Sequence, residues 1–318
     1  ALYQLGDFKM VYDCIIVGGG PAGAICSLIL QLKGFQCVLF ERRSEIDEKI
    51  CGGFIPDRCR EMLFKCGADL SEMRPEGNYI KGYVETRLGI EKPFLYKNDK
   101  HGYGVFRKNL DSFLLRKTQD AGTTVLYGKT VSEFEKQGDL FHIEGIESKY
   151  MVLATGAKLP VGMSCFDQDK IHKVAQKQSI GISEIITVVS CDLDSSCVYF
   201  WYEGMENDYF WAIPIGQNTW NIGYWSQNNR KNVKANFIRG KQRWIESNCK
   251  GICSLRSPKG ALLGNADFSK CIEVGGFYCC GDFAGSNNLY TGEGIAQAVQ
   301  SAQRTADIII KQLNGGVS

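Results

Sequence analysis

The sequence predicts an α/β fold: a nucleotide-binding unit built on a parallel sheet, interrupted by an inserted, mostly antiparallel β-sheet. Three observations predict it. The apolar run Val11 to Val17 leads straight into Gly18-Gly19-Gly20-Pro21-Ala22-Gly23. A second apolar run, Phe35 to Phe40, ends on Glu41, eighteen residues after Gly23. Near the other end, Phe277 to Cys280 runs into Gly281-Asp282 and then Thr291-Gly292-Glu293-Gly294-Ile295.

Strand, glycine turn, helix, strand and acid together form the Rossmann-type dinucleotide fingerprint. Residues 11–41 make this first βαβ unit, with Pro21 tolerated at the helix start and Gly34 near its end. A short helix is expected over 56–67, and short strands with charges between them over 79–101. An amphipathic helix runs from Arg107 to Ala121, with Leu110, Phe113 and Leu114 on one face and Gly122 closing it. Thr124 to Tyr127 and Tyr150 to Ala154 read as strands. From 161 to 271 the texture changes. Ile180–Val189, Val198–Tyr202, Tyr209–Ile213 and Thr219–Tyr224 are rich in β-branched and aromatic residues, with Gly, Asn and Asp between them. A helix is expected over 233–247, and the last helix runs from about Glu293 to Leu313. The nucleotide-binding domain is therefore expected to be discontinuous, over 10–78, 102–160 and 272–318. The substrate domain takes 79–101 and 161–271.

Composition excludes several classes. The 318 residues carry 37 basic and 35 acidic side chains, and a net charge of +2 gives no electrostatic case for nucleic acid. No 18-residue apolar run indicates a membrane span. Fourteen cysteines but only three histidines, with no C-x-x-C pair, argue against a structural metal site. A chain of this size needs no disulfide staples, so reduced thiols and a cytoplasmic location are expected. Met10 reads as the start of the native chain, with residues 1–9 a short extension.

The site residues follow from the chemistry of a bound dinucleotide. Gly18 permits the tight bend, Gly20 lets backbone approach a diphosphate, and Gly23 lets helix pack on strand. Glu41 is placed to accept from ribose hydroxyls. Arg42 is a candidate for the nucleotide rim; two exposed arginines, Arg42 and Arg43, are the plainer reading. Arg107 opens a helix, where a cation is unfavourable unless an anion lies nearby, so a phosphate contact is expected. Asp282 after Gly281 can bond a ribityl hydroxyl. The helix start at Gly292-Glu293-Gly294-Ile295 can meet the pyrimidine edge of a flavin, where its positive end stabilises negative charge. These two ends together make the expected cofactor FAD.

Those segments, with Ala154-Thr155-Gly156 after its strand, resemble the flavoprotein superfamily of aromatic hydroxylases and flavin halogenases. Two more resemble the geranylgeranyl reductase family: Cys51-Gly52-Gly53, like its Cys-Gly-Gly loop beside the flavin, and Tyr209 to Gly216, like its Tyr-x-Trp-x-Phe-Pro-x-Gly stretch. Ile213-Pro214 stands where that family has Phe-Pro. The resemblance implies an FAD-dependent oxidoreductase that saturates carbon–carbon double bonds in a prenyl chain or another apolar substrate. Cys51 is then a candidate proton donor, or simply another packed thiol. Tyr209 and Trp211 alternate on one strand and share a face, as cavity wall or as plain core. No second glycine fingerprint is present, so electrons are expected from an external donor, NAD(P)H or a redox protein. A lipid substrate adds the expectation of peripheral contact with the inner membrane. The other reading is a hydroxylase or halogenase acting on an aromatic substrate, with Lys81 as a halogenase lysine or a solvated strand end.

Overall fold

The computed structural model describes residues 10–73, 79–98, 100–158, 164–202, 208–227, 231–264, 266–271, 276–288 and 291–315. Residues 1–9, read above as an extension, lie outside them.

The chain opens with β1 (Val11–Val17), α1 (Pro21–Leu32) and β2 (Cys37–Glu41), the βαβ unit expected from the glycine turn. It continues through β3 (Phe54–Ile55), α2 (Asp57–Lys65), β4 (Tyr79–Ile80), β5 (Gly82–Arg87), β6 (Ile90–Leu95) and β7 (Gly102–Gly104). Then come α3 (Arg107–Asp120), β8 (Thr124–Tyr127), β9 (Glu135–Gln137), β10 (Leu140–Ile143) and β11 (Ile146–Leu153). Helix α4 (Gln168–Ala175) precedes β12 (Ser179–Cys191), β13 (Cys197–Tyr202), β14 (Tyr209–Gly216) and β15 (Thr219–Ser226). The remainder is α5 (Val233–Asn248), β16 (Cys249–Leu263), β17 (Tyr278–Cys279) and α6 (Ile295–Leu313).

The first sheet runs β8-β2-β1-β11-β10-β9, with β17 also on β11. Its central pairs are parallel, with Val17 opposite both Phe40 and Leu153. All three strand ends therefore point to one edge, where a ligand sits in such sheets. One face is covered by α1, α3 and α6 through Ile25, Leu28, Leu114, Val299 and Ile309. The other face buries Phe141, Met151, Phe166, Ile171 and Phe283.

The second sheet runs β16-β12-β15-β14-β13-β5-β6 and is antiparallel except where β13 meets β5. That pairing (Val198 opposite Tyr83, Tyr202 opposite Arg87) joins the early hairpin to the later strands. Helix α5 covers one face with Phe237 and Trp244 against Phe210, Trp220 and Tyr224. The opposite face carries Tyr209, Trp211, Ile213 and Trp225, which the register brings to the same side. A small sheet, β3-β7-β4, links the two.

Several elements differ from the expectation. Strand β16 carries Gly, Lys, Arg and Ser and lies mostly exposed, so no alternating pattern marks it; its ladder with β12 holds it. Only Tyr278–Cys279 of the expected strand over 276–280 pairs, and α6 begins at Ile295, with Gly294 as its N-cap. Cys165, Phe166 and Ile171 pack with Phe268 and Phe283 beneath the first sheet. We therefore propose that the inserted unit comprises 82–95 and 179–264, with 164–178 belonging to the nucleotide-binding unit.

Candidate functional site

One cavity of about 1450 Å³ runs between the two sheets, larger than the roughly 300–1,000 Å³ typical of small-ligand sites. Both glycine-rich segments line it, Gly18 to Ala22 and Gly292 to Ile295.

In the first segment the chain leaves β1 at Gly18, whose φ of +112° lets it turn beneath Ala154. A Cβ on Gly18 would meet the Ala154 carbonyl oxygen at 2.4 Å, and one on Gly23 would meet the Gly18 oxygen at 1.9 Å. Gly20 is different: a Cβ there meets nothing within 4 Å. Its side faces open space over the start of α1, where Gly20 is the N-cap and no side chain caps the helix. Uncapped amides and the positive helix end make this an anion site. Glu41 is buried and accepts from the Gly19 N–H at 2.8 Å and from Arg43 Nε at 2.8 Å. Burial alone would raise its pKa, but the hydrogen bonds from Arg43 and Gly19 hold it below the usual carboxylate value. A depressed pKa contributes stability above the unfolded value, lost as pH falls through the folded one. The stability difference between wild type and Glu41→Gln is therefore expected to be largest at neutral pH and to shrink as pH falls below about 4; urea titrations at several pH values check this. Arg42 is exposed at the rim of the same cavity.

The middle of the cavity is shaped by the Cys51-Gly52-Gly53 loop. A Cβ on Gly52 would meet Ile213 Cδ1 at 2.6 Å and Trp211 Nε1 at 3.4 Å, so only glycine lets the loop rest on the second sheet. Cys51 is half-buried and its sulfur accepts from the Gly53 N–H at 3.4 Å. The buried Arg107 guanidinium is close enough to Cys51 to interact with it electrostatically. Arg107 donates to Asp111 Oδ1 at 2.8 Å, one helical turn on, while Glu48 Oε1 accepts the Arg107 N–H at 3.0 Å. Burial would lower the pKa of Arg107; Asp111 and Cys51 raise it well above normal. The protein's own carboxylates thus supply anions at this helix start. Arg107 still lines the cavity.

Beside the second segment, Gly281 lies close to Ala22, bringing the two motifs together. Asp282 sits on the cavity wall; burial raises its pKa, against the pull of Lys49 and Arg107. Helix α6 starts at Gly294 without a side-chain cap. Around it, Asn287 Oδ1 and Glu293 Oε1 are buried with no hydrogen-bond partner among the described residues. The second carboxylate oxygen of Glu293 pairs with Arg58. Tyr209 Oη donates to the Thr291 carbonyl at 2.6 Å, so the second sheet holds this loop in place. Burial pushes the Tyr209 phenol well above its ordinary pKa.

Two uncapped helix starts, an open cradle at Gly20 and orphaned polar atoms beside Gly294 therefore bound one elongated space. These features fit an extended, anionic dinucleotide lying from one end to the other. The family described as FAD binding domain matches residues 11–317. The chain belongs to that family. Its cofactor is FAD. The chain is 26% identical over 320 residues to digeranylgeranylglycerophospholipid reductase of Methanocaldococcus jannaschii, a match covering 96% of this chain and 79% of that protein. It is 26% identical to digeranylgeranylglycerophospholipid reductase 1 of Methanococcoides burtonii, over 94% of this chain and 74% of that one. Among solved structures, a geranylgeranyl bacteriochlorophyll reductase-like protein from Thermoplasma acidophilum superposes with a TM-score of 0.74 at 19% identity, over 96% of this chain and 80% of that one. A myxobacterial chondrochloren halogenase gives a TM-score of 0.74 at 17% identity, over 98% and 77%. These two superpositions establish a shared fold.

The cavity lining gathers the expected residues: Gly18, Gly20, Pro21, Ala22, Glu41, Arg42, Cys51, Gly52, Arg107, Ala154, Gly156, Tyr209, Trp211, Asp282, Gly292, Glu293, Gly294 and Ile295. Gly23 and Gly281 stand just behind it, where they set backbone packing. Lys81 is outside the lining; it is exposed and paired with Asp194 at 3.0 Å. Four other residues join the site without having been singled out: Lys49, Phe200, Trp225 and Asn221. Phe200 and Trp225 share the inward register of Tyr209 and Trp211, so that pattern could have found them. Asn221 is a lone amide between Trp220 and Ile222 in an otherwise apolar run, the signal of a buried polar group that must have partners.

Proposed function

We propose that this FAD-dependent oxidoreductase reduces carbon–carbon double bonds in the prenyl chain of a lipid. The observation that carries the reading is an aromatic floor along the cavity. Trp225 meets Tyr209 at 5.5 Å between ring centroids, Tyr209 meets Phe200 at 5.4 Å, Phe200 meets Tyr83 at 6.4 Å, and Tyr83 meets Phe94 at 4.9 Å. This floor crosses from β15, beside the Gly292 loop, to the edge strand β6. With strands about 4.8 Å apart, four steps span roughly 19 Å, room for a long, methyl-branched apolar chain. The names of the two archaeal relatives support the same substrate class.

In this reading Gly18 to Gly23 and the start of α1 hold the diphosphate. Glu41 holds the adenosine ribose, Asp282 the ribityl chain, and the start of α6 the pyrimidine rim. Reduced FAD, when bound, supplies the hydride equivalent for the double bond. The protein positions the chain on the aromatic floor and excludes water from it. The second hydrogen is a proton, and the Cys51 thiol is the donor this reading assigns. Tyr209 is unsuited, since its proton is committed to Thr291 and its pKa is raised. The electrons come from an external reductant, NAD(P)H or a redox protein.

A lipid substrate also calls for contact with a membrane. No helix among the described residues is long and apolar enough to cross one. The β5–β6 hairpin instead offers Leu88 at 75% exposure, Ile90 at 63% and Leu95 at 54%, at the edge where the aromatic floor ends. We assign this edge to peripheral contact at the cytoplasmic face of the inner membrane. The halogenase reading is less favoured, because Lys81 lies off the cavity.

The test is anaerobic. The FAD-loaded protein is photoreduced, and a geranylgeranyl lipid is added without oxygen. Flavin reoxidation with formation of the saturated chain is expected. Product that forms only when oxygen is admitted would overturn the reading.

A further inference from the structure

Asn221 is fully buried in the middle of β15, yet its register turns it toward the cavity side with Trp225 and Gly223. Both ends of its amide are engaged. Trp211 Nε1 donates to Asn221 Oδ1 at 3.1 Å, and Asn221 Nδ2 donates to the Cys51 carbonyl at 2.7 Å. The orientation of the amide is forced: an indole N–H can only donate and a backbone carbonyl can only accept. The Cys51 loop has other ties on its far side, where Val105 N–H donates to the Gly53 carbonyl at 2.8 Å. Gly52 packs against Ile213 and Trp211 without a bond of its own to them. Asn221 is thus the polar tie, among the described residues, between the Cys51 backbone and the aromatic sheet.

We infer that Asn221 is a positioning residue that couples the Cys51 loop to the substrate floor through Trp211. The inference rests on the reading of that floor as the substrate's bed and of Cys51 as the proton donor. Asn221 acts through both neighbours: a shift of the Trp211 indole moves the amide, and the amide carries the carbonyl one bond from the Cys51 Cα. Losing either hydrogen bond frees the thiol to leave its place beside the Gly53 N–H.

The experiment uses the FAD-loaded protein and iodoacetamide, with alkylation followed cysteine by cysteine through peptide mass spectrometry. Asn221→Leu matches the side chain in size and removes both bonds. It is expected to speed alkylation of Cys51 roughly 3- to 10-fold, the range of one or two lost hydrogen bonds. The exposed Cys253 and the buried Cys14 and Cys197 keep their wild-type rates. Trp211→Phe, which keeps a ring but lacks the N–H, is expected to speed Cys51 by about 2- to 3-fold. With a geranylgeranyl lipid, Asn221→Leu lowers kcat while KM stays within about twofold, because Asn221 does not itself touch the chain. An unchanged Cys51 rate in Asn221→Leu overturns the inference, as does acceleration of all the buried cysteines together, which would mean general loosening. Should Asn221→Leu fail to fold, the Trp211→Phe rate decides alone, and no change there overturns it. Alkylation needs no substrate. A wild-type protein that reduces no prenyl lipid therefore refutes the proposed reaction and leaves this measurement readable.

Discussion

Gly20→Ala is expected to leave the fold intact and to weaken FAD binding by about 100-fold, roughly 2.7 kcal/mol. The added methyl group meets nothing within 4 Å among the described residues. Gly20 has φ −76° and ψ 179°, extended backbone open to any residue. The variant should therefore keep a Tm within about 2 °C of wild type when both are stripped of cofactor. The methyl group lies instead in the space over the start of α1, where the proposed reading seats the diphosphate against backbone. Gly23→Ala is the contrasting control. Its Cβ would stand 1.9 Å from the Gly18 oxygen, so α1 must move off β1 and both stability and FAD binding are lost. Titration of cofactor-free protein with FAD, read by flavin fluorescence beside a thermal melt, separates the two. Tight FAD binding by Gly20→Ala would show that the diphosphate does not lie over this turn.

Arg107→Met is expected to cost about 3–5 kcal/mol of stability, the effect of removing one partner from a buried ion pair. Arg107 and Asp111 are both nearly inaccessible, and Asp111 Oδ2 already has no hydrogen-bond partner among the described residues. Taking away the guanidinium leaves a carboxylate in the core of α3 with Arg43 at 3.9 Å as its nearest cation. Adding Asp111→Leu to Arg107→Met replaces the pair with apolar bulk and should recover most of the loss. Urea unfolding of the FAD-saturated variants gives the numbers. A cost below about 1 kcal/mol for Arg107→Met would mean the pair is solvated in the folded protein.

How far the sequence revealed this arrangement depends on what holds each element. The glycine turn, α1, β2, α3 and α6 are written in local chemistry: a backbone turn open only to glycine, a 3.6-residue apolar stripe, a proline at a helix start. These were legible. The inward face of β14 was legible too, because Tyr209 and Trp211 alternate. Strand β16 was not, since its residues are mostly exposed and its partner β12 lies far back in the chain. Helix α4 is eight residues with one fully buried side chain, Ile171, too little to form a stripe. The role of Arg107 was half legible. Its position at a helix start correctly demanded an anion, but Asp111, a turn further along the same helix, supplied one. Glu48 supplied the other, from a loop that no periodicity describes. The roles proposed for Cys51 and Asn221 depend on contact between the two sheets, which no local pattern encodes.

The packing of α6 on α1 carries a consequence for how the molecule comes into being. Val299, Ala302 and Ile309 complete the same core as Ile25 and Leu28, although nearly the whole chain lies between them. During translation, the first βαβ unit therefore emerges with one flank bare and waits for the closing helix to leave the ribosome. The antiparallel insert, whose own core of Trp220, Tyr224 and Trp244 is complete without either terminus, can mature in the interval. Nascent chains halted before residue 295 should accordingly display a settled insert and a protease-sensitive, chaperone-bound amino-terminal half.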